Sequence, residues 1–387
     1  MGDAIAIVGA GLGGLSCALA LARAGAKVHV YEQAPVLAEV GAGITMSPNA
    51  SRIFIHLGME DGLRRLGVVP PRQWTQNLTD GQLLVDRPRG DAVEAQYGAP
   101  YIHLHRADLH QLLADAYRAL CPDGIKLDKQ LVDIASDDAG ATLRFADGTE
   151  VSAPVAVGAD GVKSLVRDRL FATAPPQFTG QVAWRGVLPL SSLPPATQAL
   201  PPGIWIGARR LFMRYPMRGG SLINYAAFVH LDGWSGEGWS IPSTVGELLD
   251  HYADAEPHLV AMIRATPADQ LFKWALHARD PLDSWIAGSV TLLGDAAHAM
   301  LPFMGQGAAT AIEDAMVLAR CLCAFPKAEA LRRYEAARRE RTTMVQTQSR
   351  LLGLQFQGKD PLSFGKGPIR NEDSLGLFAY DAVTCPI

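Results

Sequence analysis

Residues 4–14 read Ala-Ile-Ala-Ile-Val-Gly-Ala-Gly-Leu-Gly-Gly. The apolar run Ala4–Val8 stops at a glycine cluster. Helical apolar spacing follows over Gly13–Ala24, then a second short apolar run, Lys27–Tyr31. That order predicts a strand turning into a helix and returning as a parallel strand. Gly9 serves the tight turn, Gly11 lets backbone approach a pyrophosphate, and Gly14 lets helix and strand pack closely. The helix start, with Leu12 and Gly13 in the same loop, offers unpaired N–H groups and a partial positive charge to phosphates. Glu32 closes the second strand, where a carboxylate accepts hydrogen bonds from a ribose.

Two further apolar runs end in the same way. Val155–Val157 leads into Gly158-Ala159-Asp160-Gly161, and Val290–Leu293 leads into Gly294-Asp295. Asp-Gly by itself is a common turn, as at Asp61, Asp80, Asp123, Asp147 and Asp232. The strand before Asp160, with Ser164 and Arg167 after it, sets it apart. A carboxylate at a strand's end, as in Asp295, suits a ribitol or ribose hydroxyl. Pro302 and Gly305-Gln306-Gly307 then precede a helix running to about Phe325. Its start can set N–H groups against the edge of a ring that gains negative charge on reduction. Motifs spread from residue 9 to 307 describe a dinucleotide gripped at both ends and in the middle, which points to resident FAD.

The 387 residues suffice for a sizeable core and two or three units. Residues 41–49, rich in Gly and Pro, are expected to form a loop before a helix near Ala50–Leu57. Residues 107–120 have helical spacing, and Asp147-Gly148 sits between Leu143–Phe145 and Glu150–Ser152 as a hairpin turn. From about residue 181 the texture changes to short aromatic strands: Val182–Leu188, Ile204–Gly207, Leu211–Met217 and Leu222–His230. A helical stretch, Val245–Ala265, follows. The expected fold class is mixed α/β. A Rossmann-like unit comprises residues 1–73, 98–180 and 276–350, with an inserted, largely antiparallel substrate unit of 74–97 and 181–275. The tail, 351–387, contains Leu377-Phe378-Ala379-Tyr380-Asp381, for which the sequence suggests no role. Arg332-Arg333 and Arg338-Arg339-Arg341 are interleaved with Glu329, Glu335 and Glu340, so a solvated, ion-paired helix over Ala328–Ser349 is expected rather than a nucleic-acid surface.

The net charge of −4 argues against nucleic acid or an anionic membrane as partner. Five cysteines without CxxC spacing suggest free thiols in a reducing compartment and no metal centre. With no basic leader and no long apolar span, a cytoplasmic location is expected.

The motifs above occur with Glu32-Gln33-Ala34, Gly41-Ala42-Gly43-Ile44, Pro48-Asn49, His105-Arg106-Ala107-Asp108-Leu109, Trp184-Arg185-Gly186 and Gly294-Asp295-Ala296-Ala297-His298. The helix with Tyr334-Glu335 and Arg338–Arg341 fits too. In this order the chain resembles the single-component FAD-dependent aromatic hydroxylases of the p-hydroxybenzoate hydroxylase superfamily. Within it, the likeness is to the branch of salicylate hydroxylase, 3-hydroxybenzoate 6-hydroxylase and 6-hydroxynicotinate 3-monooxygenase. The resemblance implies tightly bound FAD, NAD(P)H as a transient co-substrate, and O₂ carried as a C4a-hydroperoxyflavin to the ring of a small hydroxy acid. It also implies that Glu32 and Gln33 hold the adenosine ribose, the Leu131 backbone meets the adenine, and Arg106 reaches the flavin or pyrophosphate. Thr45 would lie beside the isoalloxazine, and Asp295 would bind ribitol. Pyridine-acid hydroxylases of this branch often carry histidine in place of Thr45, which weakens a 6-hydroxynicotinate assignment. Glu237–Pro242 lacks the first tryptophan of the flavin-halogenase signature, and no thioredoxin-like domain is expected.

A phenol attacks better as phenolate, so a base near its hydroxyl helps. His298 is the first candidate, the alternative being a histidine hydrogen-bonded in the loop beneath the flavin. Strand alternation places Leu211, Met213 and Tyr215 on one face, and Arg210, Phe212 and Arg214 on the other. Tyr215 is a candidate to bond a substrate hydroxyl, and Arg214 or Arg185 to pair with a carboxylate, a structural role being equally open for each. Trp184, Trp205, Trp234 and Trp239 read as packing first. The expected partner is a small aromatic acid, the expected assembly a monomer or homodimer, with no nucleic acid or membrane. Substrate, position hydroxylated, decarboxylation and the choice of NADH or NADPH stay open. So do a flavin oxidase or reductase, and a flavin protein that binds an aromatic ligand without turnover.

Overall fold

Strand Ile5–Val8 lies inside a six-stranded sheet whose order is Ile286–Ala287, Val290–Leu292, Ala156–Gly158, Ile5–Val8, Val28–Tyr31 and Ile125–Lys126. All neighbours are parallel except Ile286–Ala287 on Val290–Leu292. Parallel strands are covered on both faces, which is why the central runs Ile5–Val8, Ala156–Gly158 and Val290–Leu292 are largely apolar and almost wholly buried. The three strands that end in glycine motifs are neighbours, so their carboxyl ends converge on one crevice. Helix Leu12–Arg23 follows the first glycine loop and packs against Gly307–Ala324 and Arg106–Leu120. The computed structural model describes residues 4–37, 42–171, 173–231, 241–358, 360–364 and 371–387.

An eight-stranded sheet faces this unit. Its order is Ile241–Pro242, Leu271–Ala278, Gln177–Pro189, Leu222–His230, Arg210–Met217, Gly203–Gly207, Arg72–Asn77 and Leu83–Pro88. It is antiparallel apart from Gly203–Gly207 on Arg72–Asn77. One face packs Trp184, Trp205, Phe212 and Tyr225 beneath helices Val245–Tyr252 and Pro257–Arg264. Trp184 and Trp205 are therefore core residues, and Trp184 Nε1 donates to Ser243 Oγ at 2.9 Å. Trp234 and Trp239 lie outside the described residues, as does most of Glu237–Pro242. The opposite face carries Leu211, Met213, Ala226, Phe228 and Trp274.

Three expectations change. The expected loop at 41–49 contains strand Gly43–Met46, paired antiparallel with Ile102–His105. A pairing partner that far along the chain is invisible to local turn chemistry. The helical stretch Val245–Ala265 is two helices, the second opening on Pro257, whose missing N–H suits a first helical position. The charged helix extends over Lys327–Phe356. Glu329 and Arg333 form the expected surface pair at 2.8 Å, but Arg338 is wholly buried.

Arg338 explains its own burial. Its Nη2 meets Glu313 Oε2 at 2.6 Å and its Nε meets Asp314 Oδ1 at 2.7 Å, both carboxylates being fully buried on helix Gly307–Ala324. Arg341 adds a second contact to Glu313 at 2.9 Å. Burial alone would raise both carboxylates. Arg338 and Arg341 instead hold Glu313 low, while His298 and Arg338 hold Asp314 at about 2. Removing one partner of such a cluster leaves a buried charge uncompensated. Arg338→Met is expected to cost about 3–5 kcal/mol, read as a lower urea midpoint at unchanged m-value; a wild-type midpoint would contradict this role.

Candidate functional site

The converging strand ends bring Gly11, Leu12, Gly13, Gly161, Gly294 and Asp295 into one cavity, with Arg106 beside them and Pro302, Gly305 and Gly307 along its floor. Packing explains the glycines. A Cβ on Gly14 would stand 2.1 Å from the Gly9 carbonyl oxygen, so helix and turn meet there only through glycine. Around Gly11 no atom lies within 4 Å of such a Cβ, which leaves a bare backbone cradle. Glu32 is fixed at the rim, its Oε2 accepting from Ala10 N at 2.8 Å and its Oε1 from Ala34 N at 2.9 Å. The Asp295 carboxyl lines the trough; burial raises its pKa, opposed by His298 and Arg106. Amide N–H groups at a helix start, a cation and carboxylates set apart along one trough fit the phosphates and hydroxyls of FAD.

The trough's other wall is the antiparallel sheet. Gly43 N donates to Asn224 Oδ1 at 2.9 Å, locking the short ribbon onto strand Leu222–His230. The Tyr215 ring packs so tightly there that a Cβ on Gly43 would lie 2.4 Å from it. Ribbon register sets Thr45 opposite His103, and Thr45 Oγ1 lies 3.0 Å from His103 Nδ1. The His103 ring stacks on Tyr215 at 4.6 Å and meets the edge of Tyr101 at 5.5 Å.

A second cavity, of about 130 Å³, shares Thr45, Met213, Tyr215, Pro302 and Gly305 with the trough. It continues past His103 and Tyr101 to Gln73, Arg87 and Arg89, between Ile204, Phe356, Phe364 and Phe378. Polar groups stand at both ends of a mainly apolar slot. The Tyr215 hydroxyl is pushed up by burial despite Arg185, so it stays a protonated donor. Burial, then the Arg89 charge, lowers His103 to about 3, so its imidazole is neutral.

The residues singled out from sequence divide into groups. Gly11, Leu12, Gly13, Thr45, Arg106, Asp295, Pro302, Gly305, Gly307, Tyr215 and Arg185 line the trough, and Gly9 and Gly14 shape its turn. Arg185 stacks over Trp274 at 4.8 Å, its own pKa lowered by burial. Gln33 is exposed beyond Glu32, and Leu131 is buried at the start of strand Leu131–Ser136. Asp160 lies between the trough-lining Ala159 and Gly161, its carboxylate accepting from Ser164 Oγ at 2.5 Å and Val166 N at 3.1 Å at the start of helix Leu165–Leu170, which Ser164 caps. Arg214 sits on the strand face away from Tyr215, lines the second cavity and donates to the carbonyls of Leu200 and Pro201. His298 is buried behind the trough, its Nε2 2.5 Å from Asp314 Oδ2 and its ring against Trp285. Its partner belongs to helix Gly307–Ala324, so neither a base reaching the ring nor a histidine bonded within its own loop describes that placement.

His103, Tyr101, Arg87 and Arg89 went unnoticed in the sequence. The only local signal was that Tyr101 and His103 immediately precede the His105–Leu109 motif. The tail residues Leu377 and Phe378 also line the second cavity.

Two outcomes follow from this geometry. Gly14→Ala drives a methyl into the Gly9 carbonyl, so the purified variant is expected to lose its bound flavin, measured as the ratio of visible to ultraviolet absorbance. His103 carries fewer protons folded than unfolded between pH 3 and 6.5, so its burial costs stability as pH falls through that window. The difference in urea midpoint between pH 7 and pH 4.5 should therefore be smaller for His103→Gln than for wild type.

The family described as "FAD binding domain" matches residues 3–349. A 3-amino-4-hydroxybenzoate 2-monooxygenase of Streptomyces platensis is 38% identical over 358 residues, covering 92% of this chain and 89% of its own. A 6-hydroxynicotinate 3-monooxygenase of Bordetella bronchiseptica is 39% identical over 351 residues, covering 88% and 89%. A salicylate hydroxylase solved as a substrate complex superposes with a TM-score of 0.82 at 28% identity, over 98% of this chain and 96% of that one. The family match spans every motif that builds the trough, and the chain belongs to the FAD-binding family of aromatic-ring monooxygenases that these relatives represent.

Proposed function

We propose that this protein uses NAD(P)H and O₂, through its FAD, to hydroxylate a small aromatic or heteroaromatic hydroxy acid in the cytoplasm. The observation that carries this reading is the 130 Å³ cavity that shares Thr45, Met213, Tyr215, Pro302 and Gly305 with the flavin trough. Cavities of roughly 150 Å³ with apolar walls admit benzene, so this one suits a single ring. Bound FAD supplies hydride acceptance and oxygen activation. The chain's own residues orient the ring, exclude water and manage charge. Tyr215, held protonated, donates a hydrogen bond to the substrate hydroxyl oxygen. Arg185, on the same wall, stabilises negative charge on that oxygen as it turns nucleophilic, in a setting too dry for solvent to do so. Phe303, Phe356 and Phe364 keep water from the reacting face.

The deciding experiment screens 3-amino-4-hydroxybenzoate, 6-hydroxynicotinate, 3-hydroxybenzoate and salicylate for stimulated NAD(P)H oxidation, with products identified by mass. Ring hydroxylation of one of them is the expected result. Flavin reduction by the ring compound alone, without NAD(P)H, would indicate an oxidase, and spectral change without product a binding protein. On the best substrate, Tyr215→Phe should lower kcat/KM by about 10- to 100-fold, the loss of one hydrogen bond to a charged oxygen. Flavin content should stay at the wild-type level.

A further inference from the structure

Resting on that reading, we propose that Arg87 is the residue that selects rings bearing a carboxylate, holding it at the end of the cavity away from Thr45 and Tyr215. Arg87 belongs to the sheet's last strand, Leu83–Pro88, opposite Gln73. Two strands, Gly203–Gly207 and Arg72–Asn77, separate it from the strand of Tyr215. Ordinary strand spacing sets those backbones roughly 14 Å apart. Two long side chains reaching in from either end leave the span of one substituted ring.

Arg87 and Arg89 stand at this end with the Glu372 carboxylate, and they differ in how they are paired. Arg89 shares the face of Arg87 but is matched, pairing with Glu372 Oε1 at 2.5 Å, bonding Gln73 Oε1 at 2.8 Å and lying 4.7 Å over Tyr101. Arg87 has Thr75 Oγ1 at 3.3 Å, and no carboxylate among the described residues forms an ion pair with it. Burial lowers its pKa, against the longer-range pull of Glu372 and Asp373. Arg214 also lines the slot, but its Nη1 is drawn to the carbonyls of Leu200 and Pro201, and Arg185 stands on the flavin side. A planar guanidinium without a carboxylate of its own suits a bidentate carboxylate on the ring.

The test compares the FAD-loaded wild type with Arg87→Gln, Arg87→Lys and Glu372→Gln, using 3-hydroxybenzoate and 6-hydroxynicotinate, each beside its primary amide. Dissociation constants come from the flavin absorbance change. Arg87→Gln should weaken the acids about 10- to 100-fold, the worth of a charge-assisted hydrogen bond, and the amides less than about 3-fold. Arg87→Lys should recover part of the loss. Glu372→Gln, which removes the competing negative charge, should tighten the acids alone. Equal losses for acid and amide, or unchanged acid binding in Arg87→Gln, would overturn the assignment while leaving hydroxylation intact. So would a wild type that binds and hydroxylates the amides as well as the acids. If Arg87→Gln does not fold with FAD, Arg87→Lys decides, and acid binding equal to that of wild type overturns the assignment. A wild type that binds none of the ring compounds sinks both readings.

Discussion

Glu313 and Asp314, side by side and fully buried, tie together the loops that shape the cofactor trough. Asp314 Oδ2 accepts from Gly294 N at 3.1 Å and from His298, which fixes the loop that presents Asp295. Glu313 Oε1 accepts from Asn49 Nδ2 at 2.6 Å, and the same Asn49 amide donates to Gln306 Oε1 at 3.0 Å. Gln306 Nε2 donates in turn to Ser47 Oγ at 3.0 Å. The ends of three separated segments, at Ser47-Pro48, Gly294-Asp295 and Gly305–Gly307, thus share one frame, clamped from behind by Arg338. A buried ion cluster is weak evidence of stability in itself, because desolvation offsets much of its attraction. Its use here is positional, since each bond fixes a loop whose backbone faces the flavin side.

The ribbon leading into Ser47 meets the antiparallel sheet at Gly43, which packs on Tyr215 and donates through its N–H to Asn224. Both fail if residue 43 carries a side chain. The short ribbon that holds Gly43 and Thr45 is thereby pinned between the two sheets. Its far strand continues into Arg106, which closes the trough. Cofactor trough and ring cavity share a wall because one ribbon serves both.

The parts of the site legible in the sequence are those where one chemical demand falls on a few adjacent residues. Gly9, Gly11 and Gly14 announce a phosphate turn because backbone approach excludes side chains, and Asp295 announces itself at a strand's end. Tyr215 was separated from Arg214 because side chains alternate along a strand. What stayed hidden depends on pairing across the chain. Thr45 faces His103 only through the ribbon register, and Arg87 reaches the cavity only because its strand pairs at the sheet edge with Arg72–Asn77. His298 misled for a related reason. Its nearness to Asp295 suggested a role at the ring, while its actual partner, Asp314, lies in the next helix. Arg338 and Arg341 read as surface charges because their carboxylate partners also sit in another helix.

On the proposed reading, no conventional base stands at the Tyr215 end of the ring cavity among the described residues, and Glu372, at the far end, is paired with Arg89. His103 is kept neutral and weakly basic by burial beside Arg89, and Tyr215 is kept protonated. Arginine cannot accept a proton at working pH. Ionisation of a bound phenol therefore depends on the field at its oxygen, with Arg185 and Arg106 on the flavin side and Tyr215 donating to it. Positive charge in a medium of low dielectric favours the phenolate over the phenol. The carboxylate end has the opposite requirement, because an anion left unpaired there would oppose that ionisation. Seating it against Arg87 screens the ring from its own negative substituent, so binding and activation draw on the same arrangement of cations.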